Sequence, residues 1–279
     1  MNSNKFTTYL SPGKLNLGLK VVGQLNDGYH KLKTVFCLID IFDEISIQII
    51  DNVKVSLIEH NQAWPYQNDL AYRAAIALQE ISSSKLGVNI KIKKVIPSGS
   101  GMGGGSSNAA TVLLVLNKLW EINLSKDELI KLGKTLGADV PFFVYGQNAY
   151  ATGIGEILTP VELNQQYFVI VKPSFHIPTK NIFSNLKINF DNIEEKKITP
   201  KSLISTQEND LFPIALKLYP QLKAIVEHLQ RFGNVAMTGS GSAVFLTFTN
   251  EDEAKKVAKL IRNSYNSYLV KMLSKSPIF

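Results

Sequence analysis

One cysteine, Cys37, occurs in 279 residues, so no intrachain disulfide framework can form and a reducing compartment is expected. Histidine is scarce as well. His30, His60, His176 and His228 stand apart, and none has metal-ligand spacing with the cysteine, so no structural metal and no protein metal ligands are expected. No apolar run approaches the ~20 residues that cross a bilayer. The segment Met1 to Leu10 lacks an apolar signal core, and the expected location is cytoplasmic, without a membrane partner.

Acidic residues are outnumbered, 23 against 30 Lys and Arg, for a formal net charge of +7. The lysines are scattered. Their densest groups, Lys91/Lys93/Lys94 and Lys255/Lys256/Lys259, fit the solvated faces of a strand and a helix, so an anionic small ligand explains the charge more simply than a nucleic acid. With 45% hydrophobic and 19% charged residues the chain reads as globular, long enough for one large or two medium domains.

Glycine is concentrated rather than scarce. Pro97-Ser98-Gly99-Ser100-Gly101-Met102-Gly103-Gly104-Gly105-Ser106-Ser107-Asn108-Ala109-Ala110 joins a glycine-rich loop to a helix start. Such a loop can turn successive peptide N–H groups toward an anion, and the helix adds its positive end. Before it, 87–95 alternates Val88, Ile90 and Ile92 with polar residues, as a strand does; after it, Asn108 to Trp120 reads as a buried helix.

Other phosphate loops fit less well. A Walker A loop requires Lys after its second defining glycine, but Gly104 is followed by Gly105 and Ser106. Gly99-x-Gly101-x-x-Gly104 matches a dinucleotide fingerprint by letters, yet the acidic residue about 20 positions on would fall in or just after a helix rather than at a strand end. Protein-kinase His-Arg-Asp and Asp-Phe-Gly motifs are absent from the sequence. A flexible linker would not sit between a tight strand and an apolar helix.

Elsewhere, 13–22 alternates Leu15, Leu17, Leu19 and Val21 with Lys14, Asn16, Gly18 and Lys20, and Asn26-Asp27-Gly28 signals a hairpin into strand material from Tyr29 to Ile50. Helices are predicted at 69–83 and after the capping box Ser125-x-x-Glu128, the latter ending near Gly137. Sheet follows near 147–159 and 167–172, and 185–200 reads as a polar excursion. The last third is expected to run helix 213–231, strand 234–238, turn 239–242, strand 243–248, helix 251–264 and strand 267–273. The class is α+β, with domains placed at 1–160 and 161–279.

Asp139, in Gly137-Ala138-Asp139-Val140-Pro141, is either a partly desolvated reactive carboxylate or an ordinary N-cap with proline in the first turn. Lys14 is either an exposed strand lysine or a partner that holds such a carboxylate ionised. Thr238-Gly239-Ser240-Gly241 is a hairpin turn or part of a site.

In order, Lys14-Leu-Asn16, Asp27-Gly28-Tyr29-His30, the 97–110 loop, 137–143 and 238–241 resemble the GHMP kinase superfamily from end to end, least over 185–200. The resemblance implies an N-terminal domain of the ribosomal-S5-domain-2-like type that binds ATP, a ferredoxin-like C-terminal domain, and a site between them. It implies an ATP- and Mg²⁺-dependent kinase of isoprenoid biosynthesis that phosphorylates a hydroxyl of a cytidine-diphospho-linked polyol. Asp139 is then the base and Lys14 its partner. ATP falls to Pro97, Ser98, Gly99, Ser100, Gly101, Met102, Gly103, Gly104, Gly105, Ser106, Ser107 and Lys94, with Asn68 or Asp69 at the adenine. Asn16, Tyr29, His30, Thr179 and Phe183 seat the acceptor, Tyr29 and Phe183 sandwiching the cytosine. Alternatives are another GHMP kinase acting on homoserine, mevalonate or a sugar, or a non-catalytic RNA-binding protein with an S5-like domain. A monomer and a homodimer are both compatible with these readings.

Overall fold

A computed structural model describes residues 5–59, 65–82, 84–188, 190 and 194–278. The chain begins with a long antiparallel hairpin of β1 (Thr7–Gln24) and β2 (His30–Ile50). Its turn is the one the Asn-Asp-Gly sequence predicts: Leu25 N donates to Tyr29 O at 2.7 Å, and the Asp27 carboxylate accepts from Tyr29 N at 3.0 Å. Alternation along β1 predicts one wet face, but residues 11–19 are all buried. Leu15 and Leu17 pack with Phe168 and Phe245, while Lys14 and Asn16 are only 3% exposed on the opposite side.

The sheet order β3-β4-β2-β10-β7-β9-β8 explains that burial. On one side of β2 lie β4 (Gly87–Lys93), antiparallel to it, and β3 (Val55–Ile58), parallel to β4. β5 (Ala149–Thr152) pairs with β2 and with β6 (Ile157–Pro160). The later strands β7 (Tyr167–Val171), β8 (Val235–Met237), β9 (Val244–Phe248) and β10 (Ser267–Leu273) form an antiparallel group. β10 joins the two halves, since its Met272 and Leu273 pair with Ile39 and Leu38 of β2. Among the described residues ten strands thus share one sheet, and β1, paired with β2, is covered over 11–19 by later side chains on one side and by the glycine loop on the other.

Helices α1 (Leu70–Ile81), α2 (Gly104–Leu119), α3 (Lys126–Leu136) and α4 (Val140–Tyr145) enclose the first core with Leu38, Ile45 and Ile90. The Ser125 capping box opens α3 as predicted. α2 starts at Gly104, earlier than its apolar periodicity suggests, because glycines are poor helix formers and conceal the first turn. The second core, around Val169, Leu222 and Leu246, is covered by α5 (Thr179–Ser184), α7 (Phe212–Leu218), α8 (Pro220–Leu229) and α9 (Glu251–Ile261). The single helix expected over 213–231 is therefore two. Pro220 disfavours helical backbone at the preceding residue, and Tyr219 takes φ −128°, ψ 81°. Neither α5 nor α6 (Pro200–Thr206) is foreseen from the sequence. Of the 185–200 excursion, 189 and 191–193 lie outside the described residues.

Candidate active site

β4 delivers the chain into the glycine loop, and a buried carboxylate holds the entry. Asp43, fully buried on β2, accepts from Val95 N at 2.7 Å and Ile96 N at 2.9 Å and pairs with the Lys94 ammonium. From there Gly99, Gly101 and Gly103 take φ of 64°, 81° and 73°, left-handed values that favour glycine. At Gly101 the need is also steric, for a Cβ would lie 2.4 Å from Thr238 O.

The loop is tied to two distant segments. Lys14 N donates to Met102 O at 3.0 Å, and Ala243 N to Ser100 O at 3.1 Å. Thr238 Oγ1 lies 3.3 Å from Gly101 O. The β8–β9 turn is therefore a hairpin and also a clamp on the loop. Ser100, Met102 and Ser107 have buried side chains, Ser107 bonding Ser11 at 2.8 Å, so they can offer a ligand only backbone groups.

Asp139 occupies the N-cap position of α4 yet makes no side-chain cap bond. An N-cap oxygen accepts from the second or third helical N–H; the second residue here is Pro141, which has none, and Asp139 has helical rather than extended backbone, φ −88°, ψ −12°. The carboxylate turns instead to Lys14, with Oδ2 3.4 Å from Nζ. Asp139 is 34% exposed and Lys14 3%, so the pair is wet on one side only. Lys14 Nζ also donates to Asn16 Oδ1 at 2.8 Å and lies 5.2 Å from the centre of the Phe36 ring.

These groups open into a cavity of about 1000 Å³ whose walls include Lys14, Asn16, Tyr29, His30, Gly99, Gly101, Gly103, Ser106, Asp139, Thr179 and Phe183. Eleven candidates from five separate sequence regions thus face one space. His30 and Phe183 stack on each other, centroids 5.0 Å apart at 30°, while Tyr29 stands 59% exposed at the mouth. Burial pushes the His30 imidazole below its usual pKa. Thr179 hydrogen-bonds Ser240 at 2.7 Å. The walls do not include Pro97, Ser98, Gly104, Gly105, Lys94, Asn68 or Asp69, and Asp69 Oδ1 accepts from Ala71 N at 2.9 Å as the N-cap of α1. Sequence reasoning missed Asp43, Phe36 and His176, whose ring lies across Gly99. No local pattern marks them, because each acts across strands.

A second hollow of about 900 Å³, lined in part by Lys20, Glu208 and Asp210, contains none of the candidates, and those charges pair with one another. Among the described residues no group of three or more His, Cys, Asp or Glu could hold a metal by itself, and no helix is long and apolar enough to cross a membrane.

The family profile of the GHMP kinases N terminal domain matches residues 69–147, and that of the GHMP kinases C terminal matches 193–267. A 4-diphosphocytidyl-2-C-methyl-D-erythritol kinase of Neisseria meningitidis serogroup C is 41% identical over 96% of this chain and 95% of that protein. The chain belongs to the GHMP kinase family. A protein of the same name in Chromobacterium violaceum is 40% identical to this GHMP kinase over 98% of the chain and 97% of its own length. A crystal structure of a 4-(cytidine 5'-diphospho)-2C-methyl-D-erythritol kinase superposes with a TM-score of 0.80 at 32% identity, covering 95% of this chain and 99% of that one. The mevalonate kinase of Methanococcus jannaschii, at 18% identity and a TM-score of 0.71, shares the GHMP kinase fold.

Proposed function

We propose that this GHMP kinase transfers the γ-phosphoryl group of ATP to the C2 hydroxyl of 4-diphosphocytidyl-2-C-methyl-D-erythritol, a cytoplasmic step of isoprenoid precursor synthesis. The observation that carries the reading is that one cavity holds the Lys14–Asp139 pair, glycines of the loop and the aromatic group of Tyr29, His30 and Phe183. We divide the labour at the 161–166 connection, 1–160 for ATP and 161–279 completing the acceptor site.

Phosphoryl transfer asks the protein mainly to position and to neutralise charge. Loop N–H groups of Gly101, Gly103, Gly104, Gly105 and Ser106, with the positive end of α2, hold the β- and γ-phosphates. Asp139 accepts the proton of the acceptor hydroxyl as its oxygen bonds to the γ-phosphorus, while the bond to the β,γ-bridging oxygen breaks and ADP departs. Lys14 orients the Asp139 carboxylate and faces the transferred group. Asn68 or Asp69, the latter also capping α1, meets the adenine. Mg²⁺ suits this donor set as an ion carried mostly by phosphates and water, with the Ser106 hydroxyl and one carboxylate at hand; when bound it offsets charge on the phosphates. At the far end His30 offers its ring nitrogens to the cytosine edge, Tyr29 closes over the base against Phe183, and Thr179 and Asn16 seat the polyol diphosphate.

Kinases of homoserine, mevalonate or sugars share the fold, but Tyr29, His30 and Phe183 form a base-sized aromatic group that such small acceptors do not require. An RNA-binding role accounts for the net charge and leaves the Lys14–Asp139 pair without a task. The deciding experiment is ADP release measured across a panel of acceptors: stimulation by the cytidine-diphospho polyol and not by homoserine, mevalonate or galactose is expected. Equal stimulation by the small acceptors would overturn the proposal.

A further inference from the structure

Asn16 can face Lys14 with either end of its amide, and only one end is useful. Presented as an acceptor, the carbonyl holds the ammonium; presented as a donor, the NH₂ would repel it. The proton count of the surrounding network decides which. Thr34, on β2 and fully buried, has a single hydroxyl proton, and it is directed at the Gly18 carbonyl at 2.6 Å. Toward Asn16 Nδ2, 2.9 Å away, Thr34 Oγ1 can therefore act only as an acceptor. That places the NH₂ on Thr34 and the carbonyl on Lys14 Nζ, 2.8 Å away.

The Gly18 carbonyl is available because β1 is irregular at this point. Its register against β2 shifts between Asn16 and Leu19, as β-bulges near functional sites do when they re-aim side chains. Gly18 takes φ 152°, and a Cβ there would lie 2.7 Å from Leu203 O, so the bulge is specific to glycine.

Resting on the reading above, we propose that Thr34 is a positioning residue for phosphoryl transfer. Through its bond to Gly18 it fixes the amide of Asn16, and the amide fixes the ammonium of Lys14 against Asp139. Thr34 lies outside the walls of the cavity.

Thr34→Val keeps the shape and removes both hydrogen bonds. The expected result is a kcat lower by up to about 100-fold, the penalty of a slightly misplaced reacting group, with KM for ATP and for the acceptor within about twofold, an order-of-magnitude bound on ordinary contact changes. Thr34→Ser, which retains the hydroxyl, should recover most of the rate. In an Asn16→Leu background Thr34→Val should cost nothing more, because the two act as one unit. If the valine variant does not fold, Thr34→Ala carries the same comparison. Unchanged kcat in the valine or alanine variant, a serine variant as slow as valine, or full additivity with Asn16→Leu would overturn the proposal. A readout independent of the acceptor is the Asn16 side-chain NH₂ in ¹⁵N NMR: it should be protected from exchange in the parent protein and lose protection in Thr34→Val. Loss of that effect counts against Thr34, whereas silence in the acceptor panel with the NMR effect intact counts against the proposed substrate.

Discussion

Lys14 Nζ and Asp139 Oδ2 lie 3.4 Å apart although 125 residues separate them in the chain, one on an internal strand and the other at a helix start that it declines to cap. The lysine is buried and the carboxylate is partly exposed, so the pair presents one charged, accessible oxygen to the cavity beside the glycine loop. Each residue has an ordinary structural explanation in isolation. Their proximity places both at one cavity.

Asp139→Asn should retain ATP binding and lose about 10²–10⁴ in kcat, the usual contribution of a positioned base. The amide is nearly isosteric and the loop amides are untouched. Nucleotide titration and single-turnover transfer, measured on the same preparation, provide the check; near-parent turnover would remove Asp139 from the base role.

Tyr29→Ala and Phe183→Ala should raise KM for the cytidine-bearing acceptor much more than KM for ATP. An exposed Tyr29 and a stacked Phe183 line the cavity where the proposal seats the acceptor, and base stacking on an aromatic ring contributes about 1–3 kcal/mol. Equal shifts in both KM values would argue against a base between these rings.

Asp43→Ala leaves Val95 N and Ile96 N without their acceptor and Lys94 without its counter-charge. Breaking a buried charged pair from one side costs about 3–5 kcal/mol, so a large drop in thermal midpoint is expected. Because the same carboxylate fixes the loop entrance, KM for ATP should rise as well. Calorimetry and steady-state kinetics would separate the two effects, and an unchanged midpoint would count against this account of Asp43.

His30 has its pKa lowered from 6.5 by burial. The sign follows directly: above pH 6.5 the imidazole is neutral in folded and unfolded chains, and its contribution is fully present. As pH falls below 6.5 the unfolded chain takes up the proton first, and stability declines until the folded-state pKa is passed. Denaturant titrations between pH 5 and 7 should show a steeper loss in the parent than in His30→Gln, and affinity for a cytidine nucleotide should weaken over the same range. Parallel pH profiles for both proteins would refute this.

Much of the architecture could be read along the chain, since alternation, capping and turn chemistry are local. The hairpin at 26–28, the Ser125 capping box and the strand–loop–helix around 97–110 all appear where short-range pattern places them. Two departures are local, since glycines conceal the first turn of α2 and Pro220 splits the late helix; a third is long-range, since β1 is buried over 11–19 between later side chains such as Phe168 and Phe245 and the glycine loop.

Sequence by itself determined that a glycine-rich loop feeds a helix start at 97–110, a shape suited to an anion, because the backbone freedom of glycine and the field of a helix end are local properties. It also marked Lys14, Asp139, Tyr29, His30 and Phe183 as candidates without deciding between structure and chemistry for any of them. Only the tertiary structure brought them to one cavity. Burial and proximity between residues far apart in sequence come from strand pairing and packing: β1 carries Lys14 under the glycine loop, Asp139 at the start of α4 turns to Lys14 rather than to a helical N–H, and Thr34 reaches Asn16 across a bulge.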